Sequence, residues 1–185
     1  MELYKVLQER RSIRKYKADA VSSEQLNRLL DAARIAPSWS NRQCWRFIVV
    51  KDAGRKKLLA ESLPEGNPAA EAVGETAPLV IVLCANPKES GLHDGKDYYL
   101  LDAGLAMQQL MLAACAEGLG TCWVAWFDEE KVREACSVPG SYRIVALTPL
   151  GVPERQPSER PRKELQEIVY SEEWDNPYYL NNTNG

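Results

Sequence analysis

Arg10-Arg11-Ser12-Ile13-Arg14 and, beyond one helical stretch, Pro37-Ser38-Trp39-Ser40-Asn41-Arg42-Gln43 are the two segments whose pairing decides how this chain reads. The first packs three guanidiniums and a hydroxyl into five residues. Such planar, permanently charged donors suit a phosphate and the oxygens of an electron-poor ring. The second adds neutral side chains, Ser38, Asn41 and Gln43. Its two amides can both donate and accept, as an aromatic edge with alternating lone pairs and N–H groups requires. An arginine-rich pentapeptide alone is ordinary solvated surface; the amide segment is what gives it meaning.

Charge supports a small anionic ligand. The net charge is −3, yet residues 1 to 60 hold fourteen Lys and Arg against six Asp and Glu, a balance of +8 that leaves −11 for the rest. Nucleic acid fits poorly: no aromatic-basic interleaving accompanies the positive region, and the acidic remainder repels a phosphate backbone.

Five cysteines, Cys44, Cys84, Cys115, Cys122 and Cys136, form an odd set without a Cys-x-x-Cys pair. That argues against a disulfide framework and against a zinc or iron–sulfur site. The single histidine, His93, sits in the polar stretch Glu89 to Gly95. Histidine-based metal binding or nucleophilic catalysis would hang on that one loop residue. No apolar run approaches the ~18 residues that span a bilayer. The start, Met1-Glu2-Leu3-Tyr4-Lys5, lacks an apolar signal core, so no membrane association and a cytoplasmic location are expected.

Length and pattern point to one domain over residues 1–174, with 175–185 as a loose tail. Tyr4 to Glu9 reads as a short helix delivering the arginines at its end. Ser22 with Gln25 forms a capping box, and Leu26, Leu29, Leu30, Ala33 and Ala36 keep one apolar face until Pro37. Trp45 to Val50 reads as a strand, Ala53 to Ser62 as a helix, Pro64 to Pro68 as a loop, and Leu79 to Cys84 as a strand buried on both faces. Tyr98 to Glu117 is a long helix, apolar all round, capped by Gly118. A further helix spans Glu129 to Ser137, and strands at Thr121 to Trp126 and Tyr142 to Leu147 complete a sheet of about four strands. Gly118-Leu119-Gly120 follows a helix and lacks a third glycine, so it is no dinucleotide fingerprint. It reads instead as a place where a backbone N–H approaches a flat ligand closely.

In order and spacing these segments resemble the nitroreductase family. The two opening motifs stand ahead of a strand like Trp45-Arg46-Phe47-Ile48-Val49-Val50. Asp102-Ala103-Gly104-Leu105-Ala106-Met107-Gln108-Gln109-Leu110, running on to Gly118-Leu119-Gly120-Thr121-Cys122-Trp123, is similar to the family's long helix and turn. Pro149-Leu150-Gly151-Val152-Pro153 and Arg160-Pro161-Arg162-Lys163 resemble its late loop, and Glu167-Ile168-Val169 its tail. Cys44 and Glu164 depart from the pattern, each standing where proline is common.

The resemblance implies an α+β fold of three α-β-α layers, with a central, mostly antiparallel sheet of about four strands and helices on both faces. It implies flavin mononucleotide (FMN), with NADH or NADPH as co-substrate and a small electron acceptor. By the same resemblance Arg10, Ser12, Arg160 and Arg162 hold the phosphate, with Lys163 a further candidate, and Arg11 and Arg14 lie by the pyrimidine edge. Pro37, Ser38, Asn41 and Gln43 meet the ribityl and ring polar atoms, and the backbone of Leu119, Gly120 and Thr121 donates to the hydride-accepting nitrogen. The pocket is expected between two subunits of a homodimer. Trp39, Trp45, Trp123 and Trp126 are candidates for the substrate face. A specialised flavoenzyme that dehalogenates or fragments flavin, and a non-catalytic flavin carrier or sensor, are the other readings. A flavin carries the redox chemistry itself, so no side-chain acid or base is required.

Overall fold

Leu79-Val80-Ile81-Val82-Leu83-Cys84-Ala85 is apolar without a break, and all seven residues are buried. Side chains alternate across a strand, so such a run needs cover on both faces. It has that cover. Leu79, Ile81, Leu83 and Ala85 join one core with Leu26, Leu29, Met107 and Leu110. Val80, Val82 and Cys84 join another with Leu59, Val132 and Ala135.

The computed structural model describes residues 2–178. Their elements are α1 (Leu3–Glu9), α2 (Ser23–Arg34), β1 (Trp45–Val50), α3 (Ala53–Glu61), β2 (Leu79–Ala85), β3 (Leu92–His93), β4 (Lys96–Asp97), α4 (Tyr98–Ala116), β5 (Gly120–Thr121), α5 (Glu129–Cys136) and β6 (Arg143–Gly151). The main sheet runs β1-β2-β6-β5, with antiparallel pairing throughout. Helices α2 and α4 cover one face, α3 and α5 the other. The three-layer α+β architecture is as expected from the sequence.

The capping box at Ser22 forms, each partner bonding the other's backbone N–H at 3.1 Å, and α2 stops at Arg34, ahead of Pro37. Gly118 lies in the left-handed region, φ 75°, as a helix C-cap should. Helix α4 has 19 residues and a mean hydropathy of 1.2, long and apolar enough to cross a membrane by those measures alone. That corrects the composition-based expectation that no segment reaches this length. Eight of its residues, Met107 and Leu110 among them, are nonetheless buried within the protein.

Two strand boundaries differ from the sequence reading. Thr121 to Trp126 is not one strand: only Gly120–Thr121 pair regularly, with a single further bridge from Val124 to Leu147. Between them the N–H of Cys122 turns to the hydroxyl of Thr148 at 3.2 Å, which breaks the ladder. Strand β6, in contrast, continues through Pro149, Leu150 and Gly151, read from sequence as loop. Leu147 exchanges both backbone bonds with Val124. Pro149, two residues on, therefore turns its carbonyl and its missing N–H to the same interrupted edge, where no ladder donor is needed. Its carbonyl is satisfied by the Tyr16 hydroxyl at 3.0 Å, which also reaches the Ile13 carbonyl at 2.8 Å.

Near the chain's end Ser171 N–H donates to the Asn176 carbonyl at 2.8 Å, and Tyr170 bridges Pro177. Of the segment read as a tail, residues 179–185 lie outside the described residues.

Tyr16 ties the arginine segment to β6, and burial pushes its hydroxyl well above the ordinary tyrosine range. Tyr16→Phe should leave the Ile13 carbonyl short of its donor, the Pro149 carbonyl keeping the Thr148 hydroxyl at 3.3 Å, and cost ~1–3 kcal/mol in urea unfolding. An unchanged midpoint would mean that water replaces the hydroxyl.

Candidate functional site

Helix α1 ends at Arg10, whose N–H still bonds the Val6 carbonyl at 2.9 Å. From there the chain leaves the helix and runs beside β5. Ile13 N–H donates to the Thr121 carbonyl at 2.8 Å, Lys17 N–H to Val152 at 2.9 Å, and Glu154 N–H back to Lys15 at 3.1 Å. The Gln156 side chain closes the strip on Glu9 at 2.8 Å. Backbone bonding on both edges thus fixes where the arginines project.

They project into a cleft of about 340 Å³ whose walls include Arg10, Arg11, Ser12, Arg14, Arg160 and Arg162. A smaller hollow of about 140 Å³ adjoins it, sharing Arg10 and Arg11 and adding Leu119, Gly120 and Thr121. Residues more than a hundred positions apart are therefore brought together. Lys163 lines neither hollow. Among the described residues only Arg11 has an acidic partner here, Glu159 at 3.7 Å. The Nε of Arg14 is buried without an acceptor. Guanidiniums without acidic partners around a cavity suit a polyanionic ligand.

Gly120 also serves the packing of this region. A Cβ there would stand 2.6 Å from Cγ1 of Ile13. The close approach it permits is to Ile13, which lets β5 and the arginine segment pack edge to edge.

The amide segment forms a tight turn over Trp39–Asn41. Ser38 Oγ accepts from the Gln43 N–H at 3.0 Å, and Gln43 Nε2 donates to the Asn41 carbonyl at 3.1 Å. Ser40, Asn41 and Gln43 all have φ near +50°, a region that non-glycine residues enter at a cost and that clusters at ligand clamps. Ser38, Asn41 and Gln43 sit together, and Pro37 leads into the turn.

The arginine and amide segments are not adjacent. Trp39 N–H is held by the Asp102 carboxylate at 2.9 Å, one turn into α4. Arg10 and Arg11 face Cys115 at the other end of that helix. Thirteen residues at 1.5 Å each separate the two by about 20 Å.

Asp102 escaped the functional reading of the sequence, where it was only one residue of a long apolar helix. It is 3% exposed and accepts from Trp39 N–H and from the Ser90 hydroxyl at 2.7 Å. The Cys44 thiol lies 3.6 Å from it. Burial, and secondarily this carboxylate, push the Cys44 thiol up to about 11. Cys44 is thus a packed, protonated thiol. The other departure from the family pattern also has a local reason: Glu164 N–H donates to the Glu167 carboxylate at 2.8 Å, a bond proline cannot make.

Of the aromatic candidates, Trp45 belongs to the core. Trp123 and Trp126 are exposed, Trp126 by 76%. His93 sits in the exposed β3–β4 hairpin near Asp94 and lines neither hollow.

The sequence model of the Nitroreductase family matches residues 7–152. The chain is 32% identical over 164 residues to a putative NADH dehydrogenase/NAD(P)H nitroreductase of Methanothermobacter thermautotrophicus, covering 86% of this chain and 82% of the relative. It is 29% identical over 196 residues to the 5,6-dimethylbenzimidazole synthase of Rhodospirillum rubrum, covering 93% and 90%. Among solved structures, a nitroreductase family protein from Clostridium novyi NT superposes with a TM-score of 0.80 at 40% identity, covering 96% and 97% of the two chains. An FMN-dependent nitroreductase from Clostridium difficile R20291 gives 0.79 at 28%, covering 91% and 98%.

The Cys44 environment yields a pH test. Its folded-state value lies above that of an ordinary free thiol, 9.0. Any stability it contributes is complete below pH 9 and is lost as pH rises towards about 11. In the native protein at pH 8, Cys44 should resist iodoacetamide and become reactive only on unfolding. Rapid native labelling at that residue would contradict the burial and the hydrogen bond.

Proposed function

The chain belongs to the nitroreductase family, and on that premise we propose that it is an FMN-dependent oxidoreductase, passing a hydride from NADH or NADPH to a small electron-poor acceptor such as a nitroaromatic, quinone or enone. Bound FMN supplies the hydride-accepting and hydride-donating chemistry. The single observation that carries the reading is the cleft: four guanidiniums without acidic partners and the orphaned Nε of Arg14 fit a phosphate dianion beside a polar ring.

In this reading Arg10, Ser12, Arg160 and Arg162 hold the phosphate through charge-assisted bonds. Arg11 and Arg14 favour extra negative charge at the pyrimidine edge. The backbone at Leu119, Gly120 and Thr121 orients the hydride-accepting nitrogen. Pro37, Ser38, Asn41 and Gln43 meet the ribityl chain and the ring. Residues 1–174 act as one FMN-binding domain, and the protein works in the cytoplasm.

Because the two segments stand about 20 Å apart along α4, each FMN takes its arginines from one chain and its amides from a second copy. The exposed side of α4 supports such a homodimer. Leu101 and Leu105 are 57% and 47% exposed, and Leu112 continues the same stripe. Leu3, Tyr4 and Leu7 on α1 add further exposed apolar surface. Patches of that extent on a single chain mark an interface.

A second reading has one observation in its favour, the nearly full-length similarity to a 5,6-dimethylbenzimidazole synthase. In it, the same FMN site serves a specialised reaction. Turnover of NADH with a nitroaromatic or quinone, giving parallel double-reciprocal lines, supports the first reading; conversion of the flavin itself supports the second.

The purified protein should be yellow and release FMN. Arg10→Ala should weaken FMN binding by ~1.5–3 kcal/mol, the range for a charge-assisted bond. Arg14→Ala should lower the flavin midpoint potential, each 30 mV of a two-electron couple being ~1.4 kcal/mol. A colourless protein that takes up no FMN refutes the reading. A potential unchanged or raised in Arg14→Ala removes Arg14 from the ring edge.

A further inference from the structure

Three contacts pin Trp39, the residue at the head of the amide turn. Its N–H donates to Asp102 Oδ1 at 2.9 Å. Its indole stacks against Tyr98, with ring centroids 4.4 Å apart. Gly91 also lies against it, and an added Cβ there would stand 2.5 Å from the indole ring. Asp102 also accepts from the Ser90 hydroxyl, so one carboxylate joins α4, the loop before β3 and the amide turn. The turn needs an external anchor. Three of its residues hold φ near +50°, and its own side-chain hydrogen bonds, Gln43 N–H to Ser38 Oγ and Gln43 Nε2 to the Asn41 carbonyl, are exposed.

A buried carboxylate is costly to desolvate and persists where several donors point at it. Here Trp39 and Ser90 supply two strong ones, and no cation is paired with it among the described residues. Its hydrogen bonds therefore fix the turn with the rigidity of the helix that carries the carboxylate.

We infer that Asp102 is a positioning residue for the flavin ring, acting through Trp39 to hold Ser38, Asn41 and Gln43 in the one arrangement that meets the ring edge. The inference rests on the proposal that this turn faces the FMN. Removing the carboxylate would release the turn without touching the arginine cleft at the far end of α4. The effect should therefore fall on ring electronics and leave the phosphate grip in place.

The test compares the FMN-loaded wild type with Asp102→Ala, Asp102→Asn, Gly91→Ala and Gln43→Ala, reading FMN affinity, midpoint potential and the fine structure of the visible band. Asp102→Ala should shift the potential and the band in the same direction as Gln43→Ala and raise the Kd about tenfold, the scale of one buried hydrogen bond lost. Asp102→Asn, which still accepts from Trp39, should retain most of the wild-type behaviour. Gly91→Ala forces the indole aside while leaving the carboxylate in place and should reproduce the Asp102→Ala spectrum, so it decides the matter if Asp102→Ala does not fold. If Gln43→Ala changes potential and band while Asp102→Ala and Gly91→Ala change neither, Asp102 is structural only and the inference is overturned. If Gln43→Ala itself changes neither, the turn does not face FMN and the underlying reading fails instead.

Discussion

A helix that is apolar all round has to be covered on every side, and among the described residues the chain covers only one side of α4. Met107 and Leu110 are buried against the sheet and α2, whereas Leu101 and Leu105 face outward. The rest of the molecule is arranged around that asymmetry. The sheet, itself sandwiched because β2 is apolar on both faces, gives α4 a rigid bed. The two candidate half-sites are fastened to its two ends, one through Asp102 and Trp39, the other beside Cys115 and Gly118. A second copy laid on the open stripe would cover the apolar surface and bring opposite half-sites together.

The arginine cleft is the electrostatic counterpart of this incompleteness. Two like charges about 8 Å apart at an effective dielectric of 20 repel by about 2 kcal/mol. A cleft with five guanidiniums and one carboxylate is therefore held open by the backbone strip between β5 and residues 152–156. The fold supplies that strip through bonds belonging to no helix: Ile13 to Thr121, Lys17 to Val152, and Tyr16 to Pro149. Gly120 is where the strip is tightest, since only hydrogen fits beside Ile13. A dianionic ligand bound there would relieve that repulsion.

Much of this was legible in the residues. The Ser22–Gln25 box, the unbroken run in β2 and the glycine after α4 carry local signals that tertiary context did not override. The strand through Pro149 was not legible, because proline's missing N–H is harmless only at an edge already broken by Cys122, a fact about a distant segment. The reverse failure at Thr121 to Trp126 has the same origin: its β-branched and aromatic residues read as strand, but the Thr148 hydroxyl captured the donor that would have continued the ladder. For the candidate site, the residue types of the cleft were visible as a charged cluster. Its joining to Arg160 and Arg162 was carried by the family resemblance and by no spacing rule, and the absence of Lys163 from the walls and the packing of Asp102 and Gly91 against Trp39 depend on contacts between distant segments.

The central claim is that each FMN site takes its arginines from one chain and its amide turn from another. Subunit mixing tests it most directly. One chain would carry Arg10→Ala with Arg160→Ala, the other Asn41→Ala with Gln43→Ala, and the two would be co-expressed and the mixed dimer isolated. Each parent alone should bind FMN poorly. In the mixed dimer one site combines the intact arginines of one chain with the intact turn of the other, so it should hold one tightly bound FMN per dimer. A mixed dimer that binds no better than its parents would place both segments of a site in the same chain and contradict the account.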